Sequence, residues 1–174
     1  MLKNCWKEQL NQRLKPLAEG ATFRLAVLGI GNELNGDDSA GVLIARKLMS
    51  AAGGRPNLLV LDCGTIPENA SGPLRKFQPE LILMIDVAEL GEEPGFISFV
   101  DPRQVRGFSA SSHSLPLSVL TQFFSSEFDC DVLLCCIQPF SLEFDQGLSE
   151  PVEKAANELS CEIIKIAGIS KTEG

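Results

Sequence analysis

The stretch that most constrains the fold runs from Leu25 to Leu48, LAVLGIGNELNGDDSAGVLIARKL. A short apolar run, typical of a buried strand, enters a turn, and an apolar, helix-like segment follows. The turn contains three glycines, Gly29, Gly31 and Gly36. At its junction with the helix it carries two adjacent carboxylates, Asp37 and Asp38. Because ligands of open α/β folds bind at the carboxyl ends of strands, carboxylates at this position suggest metal or acid–base chemistry.

A dinucleotide-binding loop is the rival interpretation of these glycines, and it fails on spacing. A G-x-G-x-x-G motif that begins at Gly29 needs its third glycine where Leu34 stands. The two aspartates would also repel a bound pyrophosphate. A structural alternative stays open, in which Asn35 and Gly36 form a tight turn and one of the aspartates caps the following helix.

Composition limits the classes of function. The chain has 174 residues, of which 44% are hydrophobic and 22% charged, as expected for one soluble domain. Its formal net charge of −8 argues against nucleic acid and against an anionic membrane as partners. The N-terminal region lacks an uninterrupted apolar core, so we expect neither a signal peptide nor a membrane span, and a cytoplasmic location. The six cysteines form no C-x-x-C pair, four of them sit inside or beside apolar runs, and they are interpreted as reduced core residues.

Apolar runs alternate with helical patterns along most of the chain. The predicted strands are Arg24–Ile30, Asn57–Cys63, Leu81–Val87, Phe96–Val100, Val132–Ile137 and Glu162–Ala167. The predicted helices are Asp38–Ala51, Ala70–Phe77, Leu115–Ser126 and Gly147–Ser160. This alternation predicts a single three-layer α/β domain, with a mostly parallel twisted sheet and helices on both faces. The strand at Phe96–Val100 is expected at an edge, in antiparallel orientation.

The first 23 residues look separate from this pattern. Trp6, Leu10, Leu14 and Leu17 form a helical stripe, which Pro16 should interrupt or end. We therefore divide the chain into an N-terminal, helical appendage at 1–23 and an α/β domain at 24–174.

His113 is the only histidine, which excludes every site that needs two. It stands in a serine-rich segment, and Ser114 with Pro116 marks the start of a helix. The positive end of that helix dipole disfavours imidazolium, and neutral imidazole is the form that binds metal. The alternative is an ordinary surface or packed histidine.

Asp86 supplies a third candidate ligand, since it closes the apolar run Leu81–Ile85 and so falls at the same sheet edge as Asp38. Two carboxylates and one imidazole suit a divalent ion such as Zn, Ni or Mn, with positions left open for water or substrate. We expect Asp38, Asp86 and His113 to converge on one cleft. The loops at Asp62–Asn69 and Gln138–Pro139 fall on the same edge and could line it.

Five motifs in this order resemble those of the nickel-iron hydrogenase maturation endopeptidases, of the hydrogenase 3 (formate hydrogenlyase) type. They are GIGNELNGDDSAG, LDCGTIPEN, LILMIDVAELGEEPG, SSHSLPL and CIQP, and the resemblance covers roughly residues 24–167. The resemblance implies that Asp38, Asp86 and His113 bind metal, and that Asp38 and Asp86 are catalytic in an enzyme often classed as an aspartic-type protease.

The same resemblance implies an activity, a partner and a metal. Such an enzyme removes the C-terminal extension of a hydrogenase large-subunit precursor after nickel has been inserted. The nickel is then carried by the substrate, although Zn or Cd could occupy the site in vitro. Two other functions stay open: a nickel-binding maturation chaperone that cleaves nothing, and a small metal-dependent amidase on a related fold.

Overall fold

The computed structural model describes residues 6–20, 22–101 and 116–169. The helices in these ranges are α1 (Trp6–Glu19), α2 (Ala40–Ala52), α3 (Ser71–Phe77), α4 (Leu117–Phe128) and α5 (Glu150–Ile166). The strands are β1 (Leu25–Ile30), β2 (Leu58–Gly64), β3 (Leu81–Val87), β4 (Ile97–Val100) and β5 (Asp131–Ile137). Short 3-10 turns at Gly36–Ser39 and Pro67–Ala70 lead into α2 and α3. Across the described ranges, each helix is too short or too polar to span a bilayer.

The five strands form one sheet in the order β2-β1-β3-β5-β4. The first four of these are parallel, and β4 pairs with β5 in antiparallel orientation. The carboxyl ends of β1, β2, β3 and β5 therefore meet along one edge, which we call the carboxyl edge. The predicted α/β class and the antiparallel edge strand at Phe96–Val100 are confirmed.

Helices cover both faces of the sheet and define two apolar clusters. On one face, α1, α2 and α5 pack against alternate residues of the strands, such as Val27 and Leu83. On the other face, α3 and α4 pack against the residues between them, such as Leu28 and Met84. The strands β1 and β3 are buried along their whole length, as expected for the centre of a three-layer domain.

Glycine lets α2 approach the sheet closely at the carboxyl edge. A Cβ atom on Gly41 would lie 2.2 Å from the carbonyl oxygen of Ile30 and 2.4 Å from that of Ile85. A Cβ atom on Gly29 would lie 2.2 Å from the carbonyl oxygen of Gly41. Since no side chain fits between these backbones, the start of α2 rests directly on the ends of β1 and β3. This contact fixes the preceding turn, which carries Asp37 and Asp38.

The predicted strand at Glu162–Ala167 is wrong, because this segment is the last part of α5. The apolar run Ile163-Ile164 suggested a strand. The buried apolar positions of α5 nevertheless recur at helical spacing, at Val152, Ala155, Ala156, Leu159, Ile163 and Ile166. That is the period of a helix packed on one side. The helix predicted at Gly147–Ser160 accordingly starts three residues later and runs further.

The expectation that Pro16 would interrupt or end the first helix is also wrong, since α1 continues to Glu19. Pro16 is exposed, so its ring lies away from the core, and its carbonyl oxygen accepts a hydrogen bond from Gly20 N. Leu10, Leu14 and Leu17 are completely or almost completely buried against the sheet and α5. Burial of three leucines offsets the one backbone hydrogen bond that proline removes.

Candidate active site at the carboxyl edge

Asp38 lies in the 3-10 turn Gly36–Ser39, where β1 passes into α2, and its side chain is completely buried. One carboxylate oxygen, Oδ2, accepts a hydrogen bond of 2.9 Å from Asn32 N. The backbone around it is tightly packed, because a Cβ atom on Gly31 would lie 1.8 Å from the carbonyl oxygen of Asp38. Gly31 also has a φ of +147°, which disfavours other residues. The turn thus holds the Asp38 carboxylate in a fixed position.

Asp86 is the sixth residue of β3 and is also completely buried. Its Oδ1 accepts a hydrogen bond of 2.8 Å from the amide of Val87. Alternation along the strand places its side chain on the face that α3 and α4 cover, next to Cys136, its register partner on β5. The turn Gly36–Ser39 contacts β3. Asp38 and Asp86 therefore belong to the same small region of the carboxyl edge, although both are buried where we expected an open cleft.

His113 lies outside the described residues, so the three-ligand site stays a prediction. Among the residues that the structure describes, no group of three or more His, Cys, Asp and Glu side chains is arranged to hold a metal ion. The chain enters the described part again at Pro116, which precedes α4. That helix ends beside the start of β5, so its first turn points toward the carboxyl edge.

Asp37 has a structural role that differs from the roles of Asp38 and Asp86 and that was not predicted from the sequence. It is completely buried, and its Oδ2 accepts hydrogen bonds from Phe140 N at 2.8 Å and Ser141 N at 3.0 Å. Ser149 donates to it twice, from its amide to Oδ1 at 2.6 Å and from its hydroxyl to Oδ2 at 2.9 Å. Asp37 N donates in turn to the carbonyl oxygen of Ser141. One carboxylate thus ties both ends of the loop after β5 to the turn that carries Asp38.

The predicted capping role for these aspartates does not apply to Asp37, whose carboxylate bonds to the loop after β5. The N-cap position of α2 is Ser39, whose hydroxyl donates to the carbonyl oxygen of Gly36 instead of accepting from the helix. In sequence, nothing distinguished the anchoring aspartate from its neighbour. The distinction depends on a loop more than 100 residues away in the chain.

Gln138 shapes the neighbouring loop between β3 and β4. Its side chain is buried, and its Oε1 accepts a hydrogen bond of 2.7 Å from Leu90 N. Its Nε2 donates to Glu89 Oε1 at 3.1 Å. The predicted loop at Gln138–Pro139 therefore does lie on the carboxyl edge, where it positions another loop. Asp62, from the other predicted loop, accepts from Arg46 Nε at 2.7 Å, and Arg46 also bonds Glu33.

The cysteines near the carboxyl edge are poor nucleophiles. Burial, followed by the charge of Asp62, raises the pKa of the Cys63 thiol to about 12. Burial and the nearby Asp86 carboxylate also raise the pKa of Cys136 well above its usual value. Since the thiolate is the reactive form, these residues stay protonated and inert at neutral pH. The described cysteines are all free thiols, as predicted, and Cys130, Cys135 and Cys136 are buried while Cys63 is half-buried. The core position predicted for Cys161 is wrong, because this residue lies on an exposed side of α5.

A groove of about 680 Å³ opens at the opposite edge of the sheet, at the amino ends of the strands. Its charged lining residues include two ion pairs, Arg24–Glu80 and Arg75–Glu127. We do not place the active site there, because sheets of this type bind their ligands at the carboxyl ends of the strands. The buried carboxylates of Asp38 and Asp86 both lie at that other end.

Comparison with known proteins relates this chain to one family of proteases. The family model for HycI, a hydrogenase maturation protease, matches residues 42–166. A putative hydrogenase maturation protease of Methanocaldococcus jannaschii is 30% identical, over 92% of this chain and 95% of the relative. The hydrogenase 3 maturation protease of Escherichia coli K12 is 32% identical, over 74% of this chain and 81% of the relative.

Solved structures agree in fold over nearly the whole chain. The crystal structure of the [NiFe] hydrogenase maturation protease HycI from Thermococcus kodakarensis superimposes with a TM-score of 0.78 at 31% identity. The match covers 90% of this chain and 99% of that one. With the matching family model and two relatives of at least 30% identity, the assignment is direct: this chain belongs to the hydrogenase maturation protease family, whose members are hydrolases that act in hydrogenase maturation.

Proposed function

We propose that this protein is an endopeptidase that removes the C-terminal extension of a nickel-iron hydrogenase large-subunit precursor once nickel has been inserted. The observation that carries the proposal is the pair of buried carboxylates, Asp38 and Asp86, at the carboxyl edge of a hydrogenase maturation protease fold. Membership in this family favours protein cleavage over the hydrolysis of small amides. The particular precursor is part of the proposal.

The chemistry that we propose is hydrolysis of one peptide bond. Asp38 or Asp86 accepts a proton from a water molecule, whose oxygen attacks the scissile carbonyl carbon. The carbon–nitrogen bond then breaks, and the leaving amine takes up a proton, so that a new carboxylate and a new N-terminus result. Because one oxygen of each aspartate accepts a hydrogen bond from a backbone amide, the orientation of both carboxylates is set before substrate binds.

Nickel enters this proposal as part of the substrate. Two carboxylates and an imidazole are ligands that a divalent ion of this kind accepts, and Asp38, Asp86 and His113 would contact it. A metal ion at this position would supply Lewis-acid polarisation of the reacting groups. The same contact would make cleavage conditional on a correctly loaded precursor.

The experiment mixes the purified protein with precursor prepared with and without nickel, and measures the intact mass of each product. We expect the nickel-loaded precursor alone to lose its C-terminal extension. Equal trimming of both preparations would contradict the requirement for nickel. If neither preparation is trimmed, the protease assignment fails and the nickel-binding chaperone becomes the better hypothesis.

A further inference from the structure

The loop after β5 displays large apolar side chains at the surface, next to the candidate site. Phe140 and Phe144 are each 70% exposed, and Leu34, from the turn before Asp38, is 55% exposed. Two apolar clusters bury most of the large apolar side chains, and among the described ones that stay exposed Phe140 and Phe144 are the most exposed. We call Leu34, Phe140, Glu143, Phe144 and Asp145 the loop surface.

Hydrogen bonds hold the loop surface rigidly against the turn that carries Asp38. Asp145 N donates to the carbonyl oxygen of Leu34 at 2.8 Å, which brings the two segments side by side. Phe140 N and Ser141 N are fixed by the buried Asp37 carboxylate. Because the backbone of the loop is already ordered, binding of a partner to these side chains costs little conformational entropy in the loop. The surface is therefore preorganised and continuous with the candidate site.

The charge around this surface has one sign. The described loops at the carboxyl edge, residues 31–39, 65–70, 88–96 and 138–149, contain no lysine or arginine. They expose Glu33, Glu89, Glu92, Glu93, Glu143 and Asp145. Arg46 reaches this edge from α2, where it bonds Glu33 and Asp62. A partner that fits must therefore combine apolar side chains with positive charge.

We propose that the loop surface is the docking site for the precursor, and that it binds a segment of the precursor that is both basic and apolar. This inference rests on the proposed function for the identity of the partner. Phe140 and Phe144 would be the anchors that become buried, and the surrounding carboxylates would orient the basic segment and speed its approach. Docking here would bring the bound polypeptide next to Asp38.

The test measures the dissociation constant of the immobilised precursor for the wild-type protein and for two double variants. Phe140→Ala with Phe144→Ala should weaken binding at least about tenfold, since buried aromatic anchors dominate most interfaces. The matched control is Phe123→Ala, which truncates a phenylalanine of α4 that is 45% exposed and should leave the dissociation constant unchanged. Equal binding by the double variant and the control would overturn the proposal.

Charge is tested by Glu143→Gln with Asp145→Asn. Asparagine suits position 145, where φ is +60°. This variant should bind about threefold to tenfold more weakly at low salt, and the difference should vanish at high salt because ions screen surface charges. Glu8→Gln with Glu158→Gln, on α1 and α5, changes the net charge equally and should have no effect. If both double variants lose the same binding affinity, the effect comes from the overall net charge of the protein and not from the loop surface, which would contradict the proposed docking.

The oligomeric state and the cleavage assay separate the remaining outcomes. A wild-type dimer that Phe140→Ala with Phe144→Ala converts to a monomer would assign the surface to a second copy of this chain and overturn the proposal. Wild-type protein that binds the precursor through this surface without trimming it would refute the proposed function alone. If both surface variants trim the precursor as efficiently as the wild-type protein does, the docking site alone is refuted.

Discussion

The buried anchor Asp37 gives the sharpest prediction for stability, through the variant Asp37→Asn. The carboxylate accepts one hydrogen bond at Oδ1 and three at Oδ2. An asparagine of the same shape can keep its oxygen on the side of the three donors. Its NH₂ group then faces Ser149 N, another donor, and the negative charge is lost. The variant therefore loses one charge-assisted bond outright and weakens three more.

The expected loss in the free energy of unfolding is about 2–4 kcal/mol, since a hydrogen bond to a charged group contributes roughly 1.5–3 kcal/mol. In a domain of this size, that corresponds to a melting temperature lower by about 5–12 °C. Urea unfolding followed by circular dichroism measures the free energy. Hydrogen exchange measures the local effect, and the amides of residues 140–149 should exchange faster than in the wild type.

A suitable control is Asp129→Asn, because Asp129 is exposed and ends α4 with a φ of +48°, which asparagine tolerates. It should change the free energy of unfolding by less than about 0.5 kcal/mol. If Asp37→Asn is equally neutral and the amides of residues 140–149 keep their protection, Asp37 does not anchor the loop.

Two further predictions concern the close helix contact and the buried thiols. Gly41→Ala should lower the free energy of unfolding by about 1–3 kcal/mol, because its Cβ atom would collide with carbonyl oxygens of β1 and β3. Gly72→Ala, in the open part of α3, should be neutral or stabilising by up to about 1 kcal/mol, and equal effects would contradict the packing argument. Iodoacetamide at pH 8 should modify the exposed Cys161 well before Cys63, whose pKa of about 12 leaves little thiolate. Below that pKa, the rate at which iodoacetamide modifies Cys63 should rise about tenfold per pH unit. Peptide mass mapping measures both modification rates, and equal rates for Cys161 and Cys63 would refute the burial of Cys63.

The sequence was most informative where local patterns and the sheet impose the same structure. Uninterrupted apolar runs such as Leu81–Val87 belong to strands buried on both faces, and the run is visible without any partner. The predicted placement of Asp38 and Asp86 at one edge followed from the parallel arrangement of the strands. The strand predicted at the end of α5 is wrong because Ile163-Ile164 is apolar and β-branched, and only the packing of that face against the sheet selects the helix.

Features that depend on contacts between residues distant in the chain cannot be predicted from this sequence. Asp37 and Asp38 are adjacent and chemically identical, yet Asp37 bonds Ser149 while Asp38 bonds Asn32. Gln138 likewise has no feature in the sequence that separates it from an ordinary loop residue, whereas in the structure its side-chain oxygen accepts a hydrogen bond from Leu90 N. Long-range hydrogen bonds of this kind have no signature in a single sequence, because any polar residue at a loop position could make them.

The central claim, that the carboxylates at the carboxyl edge cut the precursor, is tested most directly by the intact mass of nickel-loaded precursor after a single turnover. The comparison uses the wild-type protein, Asp38→Asn and Asp86→Asn, each first shown to be folded by circular dichroism. We expect a shortened precursor and one released C-terminal peptide with the wild type, and full-length precursor with either variant. Trimming at the wild-type rate by both folded variants would contradict it.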